Sequence, residues 1–159
     1  YADQRSVGDD RLQGDEFAGQ QLGIKAEVGV GNALFTSALT QTMNGNNMQN
    51  PWSSYPGYTI VQVEDFNRDG ESAILVRAAY KIVAVDGLST YALWVHGMNP
   101  NGEDQYEKDE YDVNLEWAPT DGDLKGLAIR LRYAWVDQHG GNADTVTDFR
   151  VICNYALNF

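Results

Sequence analysis

Phe149-Arg150-Val151-Ile152-Cys153-Asn154-Tyr155-Ala156-Leu157-Asn158-Phe159 reads as one extended strand. Every odd position is apolar or aromatic, and several even positions are polar. Successive side chains of a strand point to opposite faces. A period of two sustained over this length therefore sets one face against an apolar medium and leaves the other wet.

Six further segments alternate in the same way: Leu127–Asp137, Tyr111–Ala118, Thr90–Met98, Ala73–Val85, Ala33–Thr42 and Phe17–Val30. The residues before about 16 have room for the stub of an eighth strand. No helical period is sustained, and β-branched and aromatic residues concentrate inside these segments. The fold class is all-β.

The connections alternate in length. Gly31-Asn32, Asp86-Gly87-Leu88-Ser89 and Thr120-Asp121-Gly122-Asp123-Leu124-Lys125-Gly126 are short and rich in turn residues. Between them fall links of roughly 43–72, 99–110 and 138–146. An up-and-down transmembrane β-barrel separates tight turns from long loops in this way, by side. The C-terminus and the three short turns then share one end of the sheet. A chain that stops on an aromatic residue also resembles the C-terminal signature of bacterial outer-membrane β-barrels. That resemblance implies an outer-membrane location with the C-terminus on the periplasmic side.

Composition narrows the class further. At 159 residues the chain is the size of one domain, with no second domain indicated. A net charge of -12 argues against a nucleic-acid partner. The single Cys153 excludes an internal disulfide. Apolar runs stop at about five residues, whereas a spanning helix needs about 20. No signal peptide is present, and Tyr1-Ala2-Asp3-Gln4-Arg5 reads as mid-chain, so a mature chain or a fragment is expected.

Parity assigns the faces. Leu127, Ile129, Leu131, Tyr133 and Trp135 form an apolar row opposed by Arg130 and Arg132. Tyr111, Val113, Leu115 and Trp117 are opposed by Asp112, Asn114 and Glu116. Ile74, Val76, Ala78, Tyr80 and Ile82 are opposed by Arg77 and Lys81, and Leu22, Ile24, Ala26 and Val28 by Lys25 and Glu27. The segment 33–42 fits either parity, and 90–98 is apolar on both faces. Tyr80, Tyr91, Trp117, Tyr155 and Phe159 fall near the short-turn ends, and Tyr111, Tyr133 and Trp135 near the others. Two aromatic girdles bracketing an apolar band suit a bilayer-facing surface. In a soluble sheet the same residues would be ordinary cross-strand aromatic pairs.

Of 11 Lys and Arg residues, six (Lys25, Arg77, Lys81, Arg130, Arg132 and Arg150) oppose the apolar rows. Most of the 23 acids are expected in connections, as in 102–110. A lumen lined by these cations lowers the barrier for anions and offers carboxylates successive weak sites. Arginine suits the task because its planar fork pairs bidentately with a carboxylate. The alternative is that these cations only neutralise Glu27, Asp112, Glu116 and their neighbours.

Several stretches together resemble the OprD family of outer-membrane porins. They are Ser54-Tyr55-Pro56-Gly57-Tyr58, Glu64-Asp65-Phe66-Asn67-Arg68-Asp69-Gly70-Glu71, Leu124-Lys125-Gly126-Leu127 running into Arg130-Leu131-Arg132, and Phe149-Arg150-Val151-Ile152 with Asn154-Tyr155. The resemblance covers roughly 15–159, in order. It implies a barrel of about 18 strands that passes small carboxylate-bearing solutes, amino acids included, along a ladder of basic lumen residues. By matching motif, Arg130, Arg132 and Arg150 are rungs; Lys25, Arg77 and Lys81 join them by parity. This chain supplies seven or eight strands, corresponding to the C-terminal part of such a barrel. An open sheet of that size exposes two edges that hydrocarbon does not tolerate. The remaining strands are thus expected from a partner chain or a longer precursor.

Other signals are weaker. Asp65-Phe66-Asn67-Arg68-Asp69-Gly70 starts like a calcium loop, but Val76 stands where the bidentate acid belongs. His96 and His139 have no matching zinc-ligand cluster, and Cys153 reads as a small apolar filler. No catalytic arrangement, metal or cofactor is indicated. The expected function is a porin or channel segment for passive ion and solute transport, with small anionic or zwitterionic solutes and outer-membrane lipid as partners. Two other readings fit the residues. One is a secreted or surface β-sandwich that stacks carbohydrate on Trp52, Tyr55 and Tyr58. The other is a structural β-piece of a larger assembly.

Overall fold

The computed structural model describes residues 1–6, 17–50, 57–102, 106–140 and 145–156. They build one antiparallel sheet whose strands lie in chain order: β1 Ala2–Arg5, β2 Ala18–Val30, β3 Ala33–Met43, β4 Ser72–Lys81, β5 Leu88–Met98, β6 Glu107–Trp117, β7 Leu127–His139 and β8 Val146–Tyr155. Each strand pairs with its sequence neighbour, so the chain runs up and down without a crossover. The eighth strand allowed for near the N-terminus is β1. Among the described residues, β1 and β8 are each paired along one edge only. An 11-residue strand such as β5 extends about 36 Å at ~3.3 Å per residue. Tilted by about 45° it rises ~25 Å, the height of an outer-membrane apolar band.

Of the boundaries that differ from expectation, two change the reading. The segment read as 73–85 ends at Lys81, because Ile82 N–H bonds the Leu88 carbonyl and Val85 N–H bonds that of Ile82. Those bonds fold 82–87 into a turn. Gly87 closes it at a φ of +71°, where an added Cβ would stand 2.0 Å from the Ala118 carbonyl oxygen of the next turn. At the other end of the sheet, β6 begins at Glu107 rather than Tyr111. Its acids were expected in a connection, yet Glu110 lies buried on the sheet. Leu157–Phe159 lie outside the described residues, and with them the girdle position expected of Phe159.

The link between β3 and β4 departs most from expectation. It is not an outer loop only, since residues 57–71 fold back as a strap across one face of the sheet. Tyr58 stands over Lys25 on β2, with the ammonium 5.7 Å from its ring centre. The Thr59 and Thr40 hydroxyls lie 2.8 Å apart. Phe66 is fully buried and joins Ala38, Ala73, Leu75 and Val95 in a small apolar core, with Val61 and Leu93 against it. Burying a phenylalanine is worth about 1.5–3 kcal/mol, enough to hold Phe66 at its unusual φ of +48°. Gly97 makes room: a Cβ there would lie 2.3 Å from Glu71 Oε1 and 2.6 Å from the Phe66 ring. Below the ring, Arg68 Nη2 bonds Glu71 Oε1 at 2.6 Å, and Arg68 N–H donates to Glu71 Oε2 at 3.0 Å.

The strap explains why β5 reads as apolar on both faces. Leu93 and Val95 pack under the strap, while Ala92 and Trp94 take the opposite face. Register also settles β3, which fits either parity in sequence. Phe35 and Leu39 pair with Val28 and Ile24 on the face away from the strap. That open face exposes Leu22, Ile24, Val28, Phe35, Leu39, Val76, Val113, Leu115, Leu131 and Val151 without cover. A continuous bare apolar surface of this kind marks contact with lipid or a partner.

Candidate functional site

Cross-strand partners share a face of the sheet, so register places the expected cations. One row runs Glu27–Thr36–Arg77–Leu93–Asp112–Ala134–Asp148. The next, toward the short turns, includes Tyr91–Asn114–Arg132–Arg150, and the one after it Lys81–Ser89–Glu116–Arg130. Lys25 pairs with Ala38, beneath the strap. All six expected cations therefore lie on the strap face, and the apolar rows lie opposite.

Two cavities follow one another along this face. The first, about 320 Å³, lies between strap and wall and is lined by Lys25, Tyr58, Arg77, Tyr91, Asp112 and Arg132. The second, about 660 Å³, lies nearer the short turns and takes in Arg77, Lys81, Tyr91, Asn114, Glu116 and Arg130. Arg77 and Tyr91 line both, so cations continue from one space into the next.

The cations differ in how far their neighbours neutralise them. Arg130 Nε donates to Glu116 Oε2 at 2.7 Å, and Lys25 lies 3.4 Å from Glu27. Arg150 is paired with Asp148 and donates to the Gln62 carbonyl of the strap at 3.0 Å. Arg77 stacks over Tyr91, 4.1 Å from the ring centre. Arg77, Arg132 and Lys81 make no ion pair among the described residues, and the Nε groups of Arg77 and Arg132 are buried without an acceptor. Asp112 is 1 % exposed and lies in the field of Arg132 and Arg150.

The aromatic residues separate by face. Tyr80, Tyr111, Trp117, Tyr133, Trp135 and Tyr155 fall on the open face, with Tyr111 stacked on Trp135 at 5.3 Å between ring centres. Tyr91 does not join them. Register sets it between Ala79 and Asn114 on the strap face, over Arg77, so its expected girdle position is corrected. Trp94 stands level with Tyr111 and Trp135 instead. One row further out, His96 Nδ1 lies 3.0 Å from Asp109 Oδ1 and His139 Nε2 lies 2.5 Å from Asp109 Oδ2. His139 is therefore a strand-end partner of Asp109 rather than a turn residue. The carboxylate of Asp69 accepts Gly45 N–H at 2.8 Å and Asn101 Nδ2 at 3.0 Å, bonds internal to the protein.

The residues that sequence reading missed are those that meet the strap. Glu110 receives two strap N–H groups, and Gln62 spans to β8. Carrying the even parity of Asp112 two residues back to Glu110 finds the first. The inward fold of Gln62 has no comparable periodic signal. Of the aromatic residues named for the carbohydrate reading, Tyr58 is described, and it lies against Gly23 and Lys25. Trp52 and Tyr55 lie outside the described residues.

Comparison with known proteins agrees with this geometry. A family model described as outer membrane porin, OprD family, matches residues 1–159. No curated protein matches the chain. Among solved structures, Pseudomonas aeruginosa OccK9 (OpdG) is 23 % identical with a TM-score of 0.85, covering 96 % of this chain and 40 % of its own. Pseudomonas aeruginosa OccK5 (OpdH) is 24 % identical, with a TM-score of 0.78 and coverage of 95 % and 42 %. Pseudomonas aeruginosa OccK1 (OpdK) is 22 % identical, with a TM-score of 0.81 and coverage of 95 % and 41 %. The chain thus spans about two-fifths of the length of these structures.

Proposed function

The chain belongs to the OprD family of outer-membrane porins, and from that premise we propose that its strap face lines a water-filled passage for small carboxylate-bearing solutes. Amino acids and organic acids are the solute class. The observation that carries this reading is the placement of six cations on one face, five of which line two successive cavities that share Arg77 and Tyr91. A wall of fixed positive charge lowers the barrier for an anion, and several weak sites let it leave as readily as it enters. The rungs are unequal. Arg77, Lys81 and Arg132 make no ion pair among the described residues, whereas Glu116, Glu27 and Asp148 partly neutralise Arg130, Lys25 and Arg150. A related porin, Pseudomonas aeruginosa OpdK, has been solved with vanillate, itself a small carboxylate. Passage is passive, and the wall catalyses nothing.

In this reading the open face meets lipid. The short turns and the end of β8 lie on the periplasmic side, and the long connections lie outside. The unpaired edges of β1 and β8 are then joined by further strands, supplied by a partner chain or the rest of a longer precursor. Water is absent from the hydrocarbon layer, so open edges there must be paired. A carbohydrate-binding sandwich gains no support, since a sandwich covers the apolar face that this sheet leaves bare.

Liposome swelling tests the proposal. Vesicles carrying the native channel should admit a small carboxylate faster than its uncharged amide. Replacing Arg77, Lys81 and Arg132 with alanine together should remove that advantage. An advantage that survives the triple replacement defeats the ladder.

A further inference from the structure

The strap is attached to the wall by bonds of different kinds, and one wall residue meets it with both oxygens. Glu110 Oε1 accepts Val63 N–H and Glu110 Oε2 accepts Glu64 N–H, each at 2.8 Å. Its side chain is completely buried, between Val95 and Val136 on the neighbouring strands. Beside it the Lys108 ammonium is paired with the Glu64 carboxylate and lies 4.9 Å from the Phe66 ring centre. Beyond it Gln62 Nε2 donates to the Asp148 carbonyl at 3.3 Å, and Arg150 donates to the Gln62 carbonyl. Other attachments are the Thr40–Thr59 hydroxyl contact, Tyr58 over the Lys25 ammonium, and the packing of Val61 and Phe66.

We propose that Glu110 is a latch that positions the strap inside the passage, so that one wall carboxylate sets the pore's width and its preference among anions. The inference rests on the porin reading above. Hydrogen bonds from two successive backbone N–H groups fix both the position and the orientation of residues 62–64. No other wall side chain among the described residues holds two strap amides. Residues 62–64 carry the Gln62 carbonyl that restrains Arg150, and they sit beside the cavity that holds Arg77 and Arg132. Release of the latch strands two buried donors, which then seek water and draw the strap off the wall. The passage widens and Arg150 is freed.

Single-channel recording of the native channel carrying Glu110→Gln tests this. The amide keeps the shape but offers one acceptor and turns an N–H₂ donor toward a strap N–H. Conductance should rise about twofold, as expected for a wider polar constriction, with larger open-state fluctuations. Val63→Pro removes one of the two donors from the strap side and leaves the wall untouched, so it should produce the same change. Glu110→Asp, which keeps both acceptors, should move conductance less than Glu110→Gln. Heat-modifiable migration in detergent gels checks that each barrel is assembled, and if Glu110→Gln does not assemble, Val63→Pro decides. Wild-type conductance and fluctuations in an assembled Val63→Pro or Glu110→Gln channel overturn the proposal. A widened pore in these variants, with anion preference insensitive to Arg77, Lys81 and Arg132, would retain the latch and reject the ladder. A native channel that passes no current overturns both.

Discussion

Arg132 and Arg150 face each other directly across β7 and β8, on the same side of the sheet. Like charges in that position repel, and the two arginines are held in different ways. Arg150 is paired with Asp148 and bonded to the strap, while Arg132 has no ion pair among the described residues. Two arginines adjacent in space are therefore expected to respond differently to replacement. Arg132→Ala should shift the reversal potential toward cations with little change in conductance. Arg150→Ala should change conductance and current noise more than selectivity. Equal effects in bilayer recordings would contradict the division.

Phe66 is the apolar anchor of the strap. Phe66→Ala should cost about 3–5 kcal/mol, the range for truncating a buried phenylalanine. The loss should be local. Hydrogen exchange should speed up at strap amides around Val61 and Glu64, while the ladders of β6 and β7 keep their protection. Uniform loss of protection across the sheet would show that the strap and the wall unfold together.

Gly97 tests the same contact from the wall. Gly97→Ala drives a methyl group toward Glu71 and the Phe66 ring, and overpacking of this kind costs about 1–3 kcal/mol. The strap should loosen, with greater protease sensitivity near 60–66 and intact strands. Unchanged proteolysis would mean that Phe66 shifts without cost.

The bare apolar face yields a membrane prediction. Leu131 lies between the aromatic residues at the two ends, on the open face, and its cross-strand neighbours are Leu115 and Val151. Leu131→Arg should destabilise the folded protein in bilayers by about 2–4 kcal/mol, the cost of a cation at the lipid midplane. Asn114→Arg, on the strap face, should be tolerated much better. Equal costs in reversible unfolding from liposomes would argue against a lipid-facing surface.

At the turns, the Thr120 backbone N–H, at 2.7 Å, and then its hydroxyl, at 2.8 Å, hold the Asp86 carboxyl below the usual carboxylate range. For a group whose pKa is depressed by folding, the contribution is complete above its unfolded pKa of about 4. It is lost as pH falls through the lower folded value. Asp86→Asn should thus destabilise the protein near neutral pH, and the difference from wild type should close in acid. A gap between the two that stays constant down to strongly acidic pH would contradict this role.

Period-two alternation made most of the wall legible, because each strand has one bare apolar face and its parity survives in the residue order. The rows of Leu127–Trp135 and Tyr111–Trp117 are the clearest cases. Legibility ended where the strap begins. Once Leu93 and Val95 are covered by Phe66 and Val61, β5 is apolar on both faces, and parity no longer says where Tyr91 points. Charge misled in the same region. Glu107–Glu110 reads as a solvated run, yet Glu110 is buried because strap amides satisfy it. The site is a surface on which distant segments meet, and only its wall is periodic.

On the proposed reading, cations without an ion pair on the strap face make the passage prefer anions. The most direct test is the reversal potential of the native channel in a planar bilayer under a salt gradient, with Arg77, Lys81 and Arg132 replaced by alanine together. The wild type should be anion-selective and the triple variant shifted to neutral or cation-selective behaviour, with the barrel still assembled. An assembled triple variant that keeps the wild-type reversal potential would contradict it.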